Sequence, residues 1–202
     1  MPESEWLLLM TQLPAKPSSL RVSVWRKLRE AGSASLQNGV WILPHNPENQ
    51  MFMERLLAYI KHKGASAQIL LAQELNQTTH ADLITRFNAD RDQEYEAFLE
   101  ECAGFVALIE KETQASKFSF TELDEIEQYL ARLRKWIAKI QERDFFAAPK
   151  SKTAVAAMNE CRLQLRDFTR QVYIEEEIDP PPDLYFFAEF PGLTDQDSSQ
   201  DG

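Results

Sequence analysis

Apolar residues along this chain come first in short runs punctuated by glycine and proline, and later at helical spacing through long charged stretches, so two architectures are encoded in series. Trp6 to Leu13 is a compact apolar run closed by Pro14, which predicts a first strand. Leu20, Val24, Trp25 and Leu28 recur at helical spacing and predict a helix over 19–31 with these four residues as its buried stripe. Pro17-Ser18-Ser19 supplies a turn and a hydroxyl cap for that helix, and Gly32 ends it. Ser33 to Gln37 and Gly39 to Leu43 then predict two short strands, or one strand bent at the turn signal Asn38-Gly39, with Pro44 closing the run. Asn46-Pro47-Glu48 starts a second helix, with asparagine as cap, proline in the first turn and an acid beside it. Its expected buried face is Met51 or Phe52, Leu56, and Tyr59 or Ile60, and Gly64 stops it. Ala67 to Leu75 is the last strand, with Ile69 to Ala72 as its buried run. The order β-α-β-β-α-β is the split β-α-β plan, one antiparallel sheet with two helices on one face.

From Gln77 the apolar positions spread over long helices. The first is expected from about Thr79 to Thr113, with a break near Asn88 left open, and with Leu83, Phe87, Phe98, Cys102, Phe105 and Ile109 as its apolar side. Ser119-Phe120-Thr121-Glu122 is a capping box, and Leu123, Ile126, Leu130, Leu133, Ile137 and Ile140 follow it at spacings of three and four. Ala154, Met158, Cys161, Leu165, Phe168 and Val172 repeat the pattern. Three such stripes need one another, so an antiparallel bundle or hairpin is expected, docked on the sheet or on a second subunit. The chain thus reads as α+β: a ferredoxin-like domain at 1–76, a helical domain at 77–178, and an acidic, proline-rich and aromatic tail at 179–202, partly disordered. Within that tail Tyr185 to Phe190 is apolar enough to dock on the body or on a partner.

Charge changes the picture. The net charge is −10, but residues 1–76 hold 8 basic and 6 acidic residues, residues 77–148 hold 9 and 15, and residues 149–202 hold 5 and 11. Nucleic-acid binders concentrate positive charge on one face, so any such contact is expected from the first third alone. There the first helix carries Arg21, Arg26, Lys27 and Arg29. On a helical wheel Arg21 falls inside the apolar stripe, between Leu20 and Trp25. It is then either a rim arginine, snorkelling or paired, or a contact to an anionic ligand. The other three fall outside the stripe, on a solvated face.

The chemistry of hydrolases and redox enzymes has few footholds. Cys102 and Cys161 lie far apart in apolar helical positions without a CxxC pair, and read as core thiols of a reducing, cytoplasmic compartment. His45, His62 and His80 share no ligand spacing, and the acidic clusters at 90–94 and 124–127 read as solvated helix faces. There is no phosphate-cradling glycine loop, HExxH, nucleophile motif, or flavin or nicotinamide fingerprint. WLLLM is too short and too closely flanked by acids for a signal peptide, and no run of eighteen apolar residues exists. No metal, no cofactor and no membrane contact are therefore expected.

WLLLMTQLP followed by SLRVSVWRKLREAGSASLQNGVWILP resembles the amino-terminal domain of the ChrB chromate-resistance regulators. RDQEYEAFL and YLARLRKWIAKIQERDFF resemble the helical portion of that domain, and the likeness covers roughly residues 5 to 175. The resemblance implies a chromate-responsive regulator of a chromate efflux operon. By position it favours Arg21, Arg26, Lys27 and Arg29 for DNA or oxyanion recognition, and Arg91, Glu94, Tyr95 and Asp144 as a polar site in the helical part. Longer ChrB proteins continue into a second domain, so a separate protein supplying that domain is a further expected partner. The helix-to-strand segment is also similar to the ferredoxin-like nucleases of CRISPR integration complexes and to the related domain of the phenylacetate-pathway repressor PaaX. Those relatives pair through their sheets, which implies a homodimer.

Such nucleases hold a metal ion through an aspartate at the end of the first strand, where this chain reads Met10-Thr11-Gln12-Leu13. The expectation is accordingly a non-enzymatic regulatory protein linked to chromate, with DNA and chromate or a similar oxyanion as ligands. Two rivals come from other classes. One is an enzyme, either a nuclease using the carboxylates at 90–94 with Asp144 or a chromate-handling oxidoreductase; the other is a scaffold that binds proteins through its bundle and aromatic tail.

Overall fold

A computed structural model describes residues 5–16, 18–74 and 76–182. Its order is β1 (Glu5–Gln12), α1 (Ser19–Glu30), β2 (Ala34–Gln37), β3 (Val40–Pro44), α2 (Pro47–His62), β4 (Ser66–Gln73), α3 (Gln77–Gln114), α4 (Phe120–Gln141) and α5 (Ser151–Glu175). The four strands form one sheet in the order β2-β3-β1-β4. All three pairings are antiparallel, with Leu8 opposite Ile42 on one side and Leu70 on the other. The fold is α+β, as the periodicity predicts. The expectations for Tyr185 to Phe190 and for the last ten residues fall outside the described residues.

The chain divides into two compact units, one of residues 1–96 and 138–151, the other of 97–137 and 152–202. The division runs within α3 and α4, so each of these helices contributes a part to either unit.

In the first unit β1 is central, and its side chains alternate between the two faces of the sheet. Leu7 and Leu9 join Val24, Leu28, Met53, Leu56 and Ile60 in the core. Trp6, on the opposite face, stacks on Phe87 of α3 with ring centres 5.8 Å apart and tilts against Phe146 at 5.8 Å. The indole N–H of Trp6 donates to Glu74 at 2.6 Å, which satisfies its one polar atom. Helix α2 is capped as its sequence dictates, Asn46 Oδ1 accepting from the Asn49 N–H at 2.7 Å, and Gly64 adopts a φ of +76° just beyond its end.

Two expectations are corrected here, and the open question of a break in α3 is answered. The fully buried apolar residue in the first turns of α2 is Met53; of the two expected residues, Phe52 is half-buried against the core and Met51 is exposed. The stripe that faces the sheet is set by Leu56 and Ile60, and Met53 is the residue one turn before Leu56. Leu70 and Leu71, expected in the buried run of β4, are 47 % and 55 % exposed, because β4 is the edge strand of the sheet and, among the described residues, pairs only with β1. Helix α3 runs through Asn88 without a break.

In the second unit the three long stripes meet as their spacing requires. Phe98 and Trp136 pack edge to face at 5.8 Å, and Phe105 and Tyr129 at 5.4 Å. Cys102 and Cys161 are both free and buried, the Cys161 thiol lying 3.7 Å from the Cys102 carbonyl. At the start of α4 the Ser119 hydroxyl donates to the Glu122 carboxylate and accepts from the Thr121 N–H at 3.3 Å, in place of the reciprocal side-chain-to-backbone bonds of a capping box.

Candidate functional site

Helix α1 buries Leu20, Val24 and Leu28 and nothing else. This is the narrow i, i+4, i+8 stripe of a helix lying on a sheet, and Trp25, one step of 100° round from Val24, is outside it at 54 % exposure. The reading of Trp25 as core is therefore corrected. Arg21, one turn before Trp25 on the same side, is exposed rather than set in the buried stripe. The opposite flank of α1 is covered by α2, where Ser23 and Tyr59 share a 3.2 Å hydrogen bond and the Lys27 ammonium lies 5.7 Å from the Tyr59 ring centre.

The four basic residues of α1 are thus in different situations. Arg29 is committed to Asp90 of α3 at 2.7 Å. Lys27 rests over Tyr59. Arg21 and Arg26 are exposed, and no side-chain ion pair or hydrogen bond engages either among the described residues. Arg21 and Trp25 line an open cleft of about 390 Å³ together with Gln12 at the end of β1, Leu13 just after it, Asn38 in the β2–β3 turn, and Trp41 of β3. The turn is clamped against β1, since the Thr11 N–H donates to the Gly39 carbonyl at 2.7 Å and the Thr11 hydroxyl to the same oxygen at 3.2 Å. Gly39 holds a φ of +77°, and a Cβ there would meet the Thr11 carbonyl oxygen at 2.6 Å, so only glycine fits.

Arg91, Glu94, Tyr95 and Asp144 are brought together by the structure. Arg91, Glu94 and Tyr95 share one face of α3 at spacings of three and four, and Asp144 lies in the segment after α4. Arg91 is 2 % exposed and reaches Glu94 through Nη2 at 3.0 Å, while Arg143 takes the other oxygen of Glu94 at 2.7 Å. The Tyr95 hydroxyl donates to Asp144 at 3.0 Å, and Asp144 also accepts from the Ala148 N–H at 2.9 Å. Asp92 accepts from the Lys150 N–H at 2.9 Å, and the Lys150 ammonium pairs with Glu96. One turn and a half of α3 therefore fixes the whole segment between α4 and α5. Phe145 and Phe146 complete the attachment by packing against Phe87 at 6.1 and 5.4 Å.

Electrostatics at this cluster are strained in one place. Burial, the largest influence, pushes the Arg91 guanidinium below its ordinary value; Glu94 opposes that, and Arg143 and Arg29 add to it. Arg91 Nε and Nη1 and Arg143 Nε are buried without an acceptor among the described residues. Burial also pushes the Tyr95 hydroxyl up to about 12, with Asp144 acting in the same direction.

The sequence reading missed Arg143, although it directly precedes Asp144, and it missed Gln12, Asn38 and Trp41, whose polar and aromatic character carries no spacing signal. The carboxylates at 90–94 are all engaged, Asp90 by Arg29, Asp92 by the backbone at Lys150, and Glu94 by two arginines. Among the described residues no group of three or more His, Cys, Asp or Glu could hold a metal ion, and no helix is long and apolar enough to cross a membrane.

The chain is 27 % identical over 173 residues to a protein described as Protein ChrB from Cupriavidus metallidurans, which accounts for 86 % of this chain and 48 % of that protein. It therefore spans about half the length of this curated relative. Residues 21–178, from the start of α1 to beyond α5, match the family described as Protein ChrB, N-terminal. With that match running over well over half of the chain, this protein belongs to the ChrB amino-terminal family.

Proposed function

We propose that this chain is a non-enzymatic regulatory protein linked to chromate resistance, which contacts DNA through α1 and responds to chromate or a similar oxyanion. The observation that carries the reading is the pair Arg21 and Arg26, exposed on α1 with no acceptor among the described residues, in a chain whose net charge is −10. A cation left unpaired amid so many carboxylates is available to phosphate, and each phosphate it neutralises releases counterions. Oxyanion response is supported by the buried donors of Arg91 and Arg143 that lack acceptors, since guanidinium groups form their strongest hydrogen bonds to anionic oxygen. An oxyanion at Arg91 would compete with Glu94, and Arg29, paired with Asp90 one residue before Arg91, links that event to α1. The test is fluorescence anisotropy on the duplex upstream of the protein's own gene, at several salt concentrations, with and without chromate. Binding that weakens steeply with salt and is released by chromate supports the reading; no binding at low salt overturns it.

Homodimer formation is part of the same reading, and β4 supports it. Its free edge reads Ser-Ala-Gln-Ile-Leu-Leu-Ala-Gln, with no charge and no proline to discourage pairing, and with Leu70 and Leu71 exposed on its two faces. A second copy could add its own β4 antiparallel to this one about a two-fold axis. Leu71→Lys, measured by light scattering, should halve the mass of such a dimer, and an unchanged mass excludes pairing through this edge.

A further inference from the structure

We infer that the cleft between α1 and the β2–β3 turn is a nucleotide pocket: an unstacked base lies against the indoles of Trp25 and Trp41, the amides of Gln12 and Asn38 meet its edge, and Arg21 holds its phosphate. This rests on the DNA-contact reading of α1 and narrows its ligand from duplex phosphate to an unpaired nucleotide.

Four features of the cleft point to that chemistry. Trp25 leaves 54 % of its surface in water, which a base covering the ring would remove. The side chains of Gln12, Arg21 and Asn38 make no hydrogen bond or ion pair among the described residues, so their donors and acceptors are free for a ligand. Among the described residues no acidic side chain lines the cleft, although the chain carries 32 acids, so a phosphate meets no like charge in that wall. The cleft is also preformed. Thr11 pins Gly39 by two hydrogen bonds, which fixes the turn carrying Asn38 relative to β1, and at about 390 Å³ the space falls within the usual range of small-ligand sites.

The expected selectivity follows from these groups. Every base has a π face, and amides offer both a donor and an acceptor, so recognition tolerates sequence while requiring that the base be out of its stack. Bases inside an intact duplex cannot reach the indoles.

The experiment uses the full chain with three probes: a twelve-nucleotide thymidine single strand, a duplex of equal length, and free adenosine monophosphate. Anisotropy of the labelled strands is read together with intrinsic tryptophan fluorescence. The single strand should bind more tightly than the duplex and quench the fluorescence. Trp25→Ala should weaken the single strand about 10-fold or more while the duplex changes less than about 2-fold, and Gln12→Ala, also at an exposed position, should weaken the single strand selectively. Saturable quenching by the monophosphate would assign the pocket to free nucleotides, and quenching by the strand alone would assign it to an unpaired nucleotide within a strand. Duplex binding that persists while Trp25→Ala leaves single-strand affinity unchanged overturns the pocket and leaves the α1 reading standing. Failure of the single strand and the monophosphate to bind overturns the pocket, and failure of the duplex upstream of the protein's own gene to bind at low salt overturns the α1 reading as well.

Discussion

Arg21 and Arg91 carry the same guanidinium, yet one stands exposed on α1 with no acceptor among the described residues and the other is 2 % exposed within α3, bonded to Glu94 at 3.0 Å. Around Arg91 nearly every neighbour is also spoken for. Glu94 is shared with Arg143, Tyr95 donates to Asp144, and Asp92 holds the backbone at Lys150. Around Arg21 the polar neighbours Gln12 and Asn38 are as unoccupied as the arginine itself. The difference teaches that motif residues in one chain can divide into those that build the fold and those that face a partner, and that hydrogen-bond satisfaction separates the two. Each expectation below either removes a residue from one of these groups or tests whether the division holds.

Tyr95→Ala should have the largest effect. Tyr95 is fully buried and its hydroxyl helps fix the segment after α4, so truncation opens a cavity and frees Asp144 at once. A loss of about 3–5 kcal/mol in denaturant unfolding is expected, the range of large aromatic truncations. A change below about 1 kcal/mol would show that the Arg91 cluster is not a structural clamp, and the comparison with Arg21 would collapse.

Alkaline pH probes the same residue without a cavity. The Tyr95 hydroxyl is pushed up to about 12 by burial first and then by Asp144, against an ordinary tyrosine value near 10. The folded chain therefore keeps this proton at pH values where the unfolded chain has lost it. The contribution is whole below about pH 10 and is lost as pH rises through about 12, amounting to about 3 kcal/mol in all. Wild type minus Tyr95→Phe should shrink over that window. Tyr129, also pushed up to about 12 by burial with help from Glu101, is present in both proteins and cancels.

How far this division could be read from sequence depends on which physical signal each residue carries. The β-α-β-β-α-β order was legible because Gly32, Asn38-Gly39, Asn46-Pro47 and Gly64 punctuate the chain where turns and caps require them. The stripes of α4 and α5 were legible because long helices that bury one face against other helices leave a strict spacing of three and four. Trp25 was misread because periodicity reports what a helix could bury, and it carries no information on which side the sheet stops. Leu70 and Leu71 were misread for a related reason, since an apolar run looks the same in an edge strand as in a central one. For the candidate site, Arg91, Glu94 and Tyr95 could be grouped by their spacing on one helix, whereas Gln12, Arg21, Asn38 and Trp41 come from four separate places and meet only through the pairing of β1 with β3.

Arg29 sits between the two groups and should behave so. It belongs to α1 by sequence but bonds Asp90 at 2.7 Å, with about a third of its side chain exposed. Arg29→Ala should cost about 1 kcal/mol or less, as half-exposed ion pairs do, and should change DNA affinity less than Arg21→Ala does. An equal loss of DNA affinity in the two variants would place Arg29 among the outward-facing residues and show that its bond to Asp90 yields to phosphate.

The smallest expected change in stability belongs to Arg21→Ala combined with Arg26→Ala, and it is the most informative of the set. Neither side chain is buried or bonded among the described residues, so removing them takes away no packing and leaves no group without its partner. The denaturation midpoint should not move measurably. Binding to duplex DNA should fall, and the slope of log affinity against log salt should flatten by about one unit for each phosphate that is no longer neutralised. The two readouts together exclude the alternatives. A shifted midpoint would mean that these arginines stabilise the fold by packing without a hydrogen bond, and a lower affinity at unchanged salt slope would mean that they position α1 instead of touching phosphate. Only an unmoved midpoint with a flatter slope fits arginines held outward for a partner.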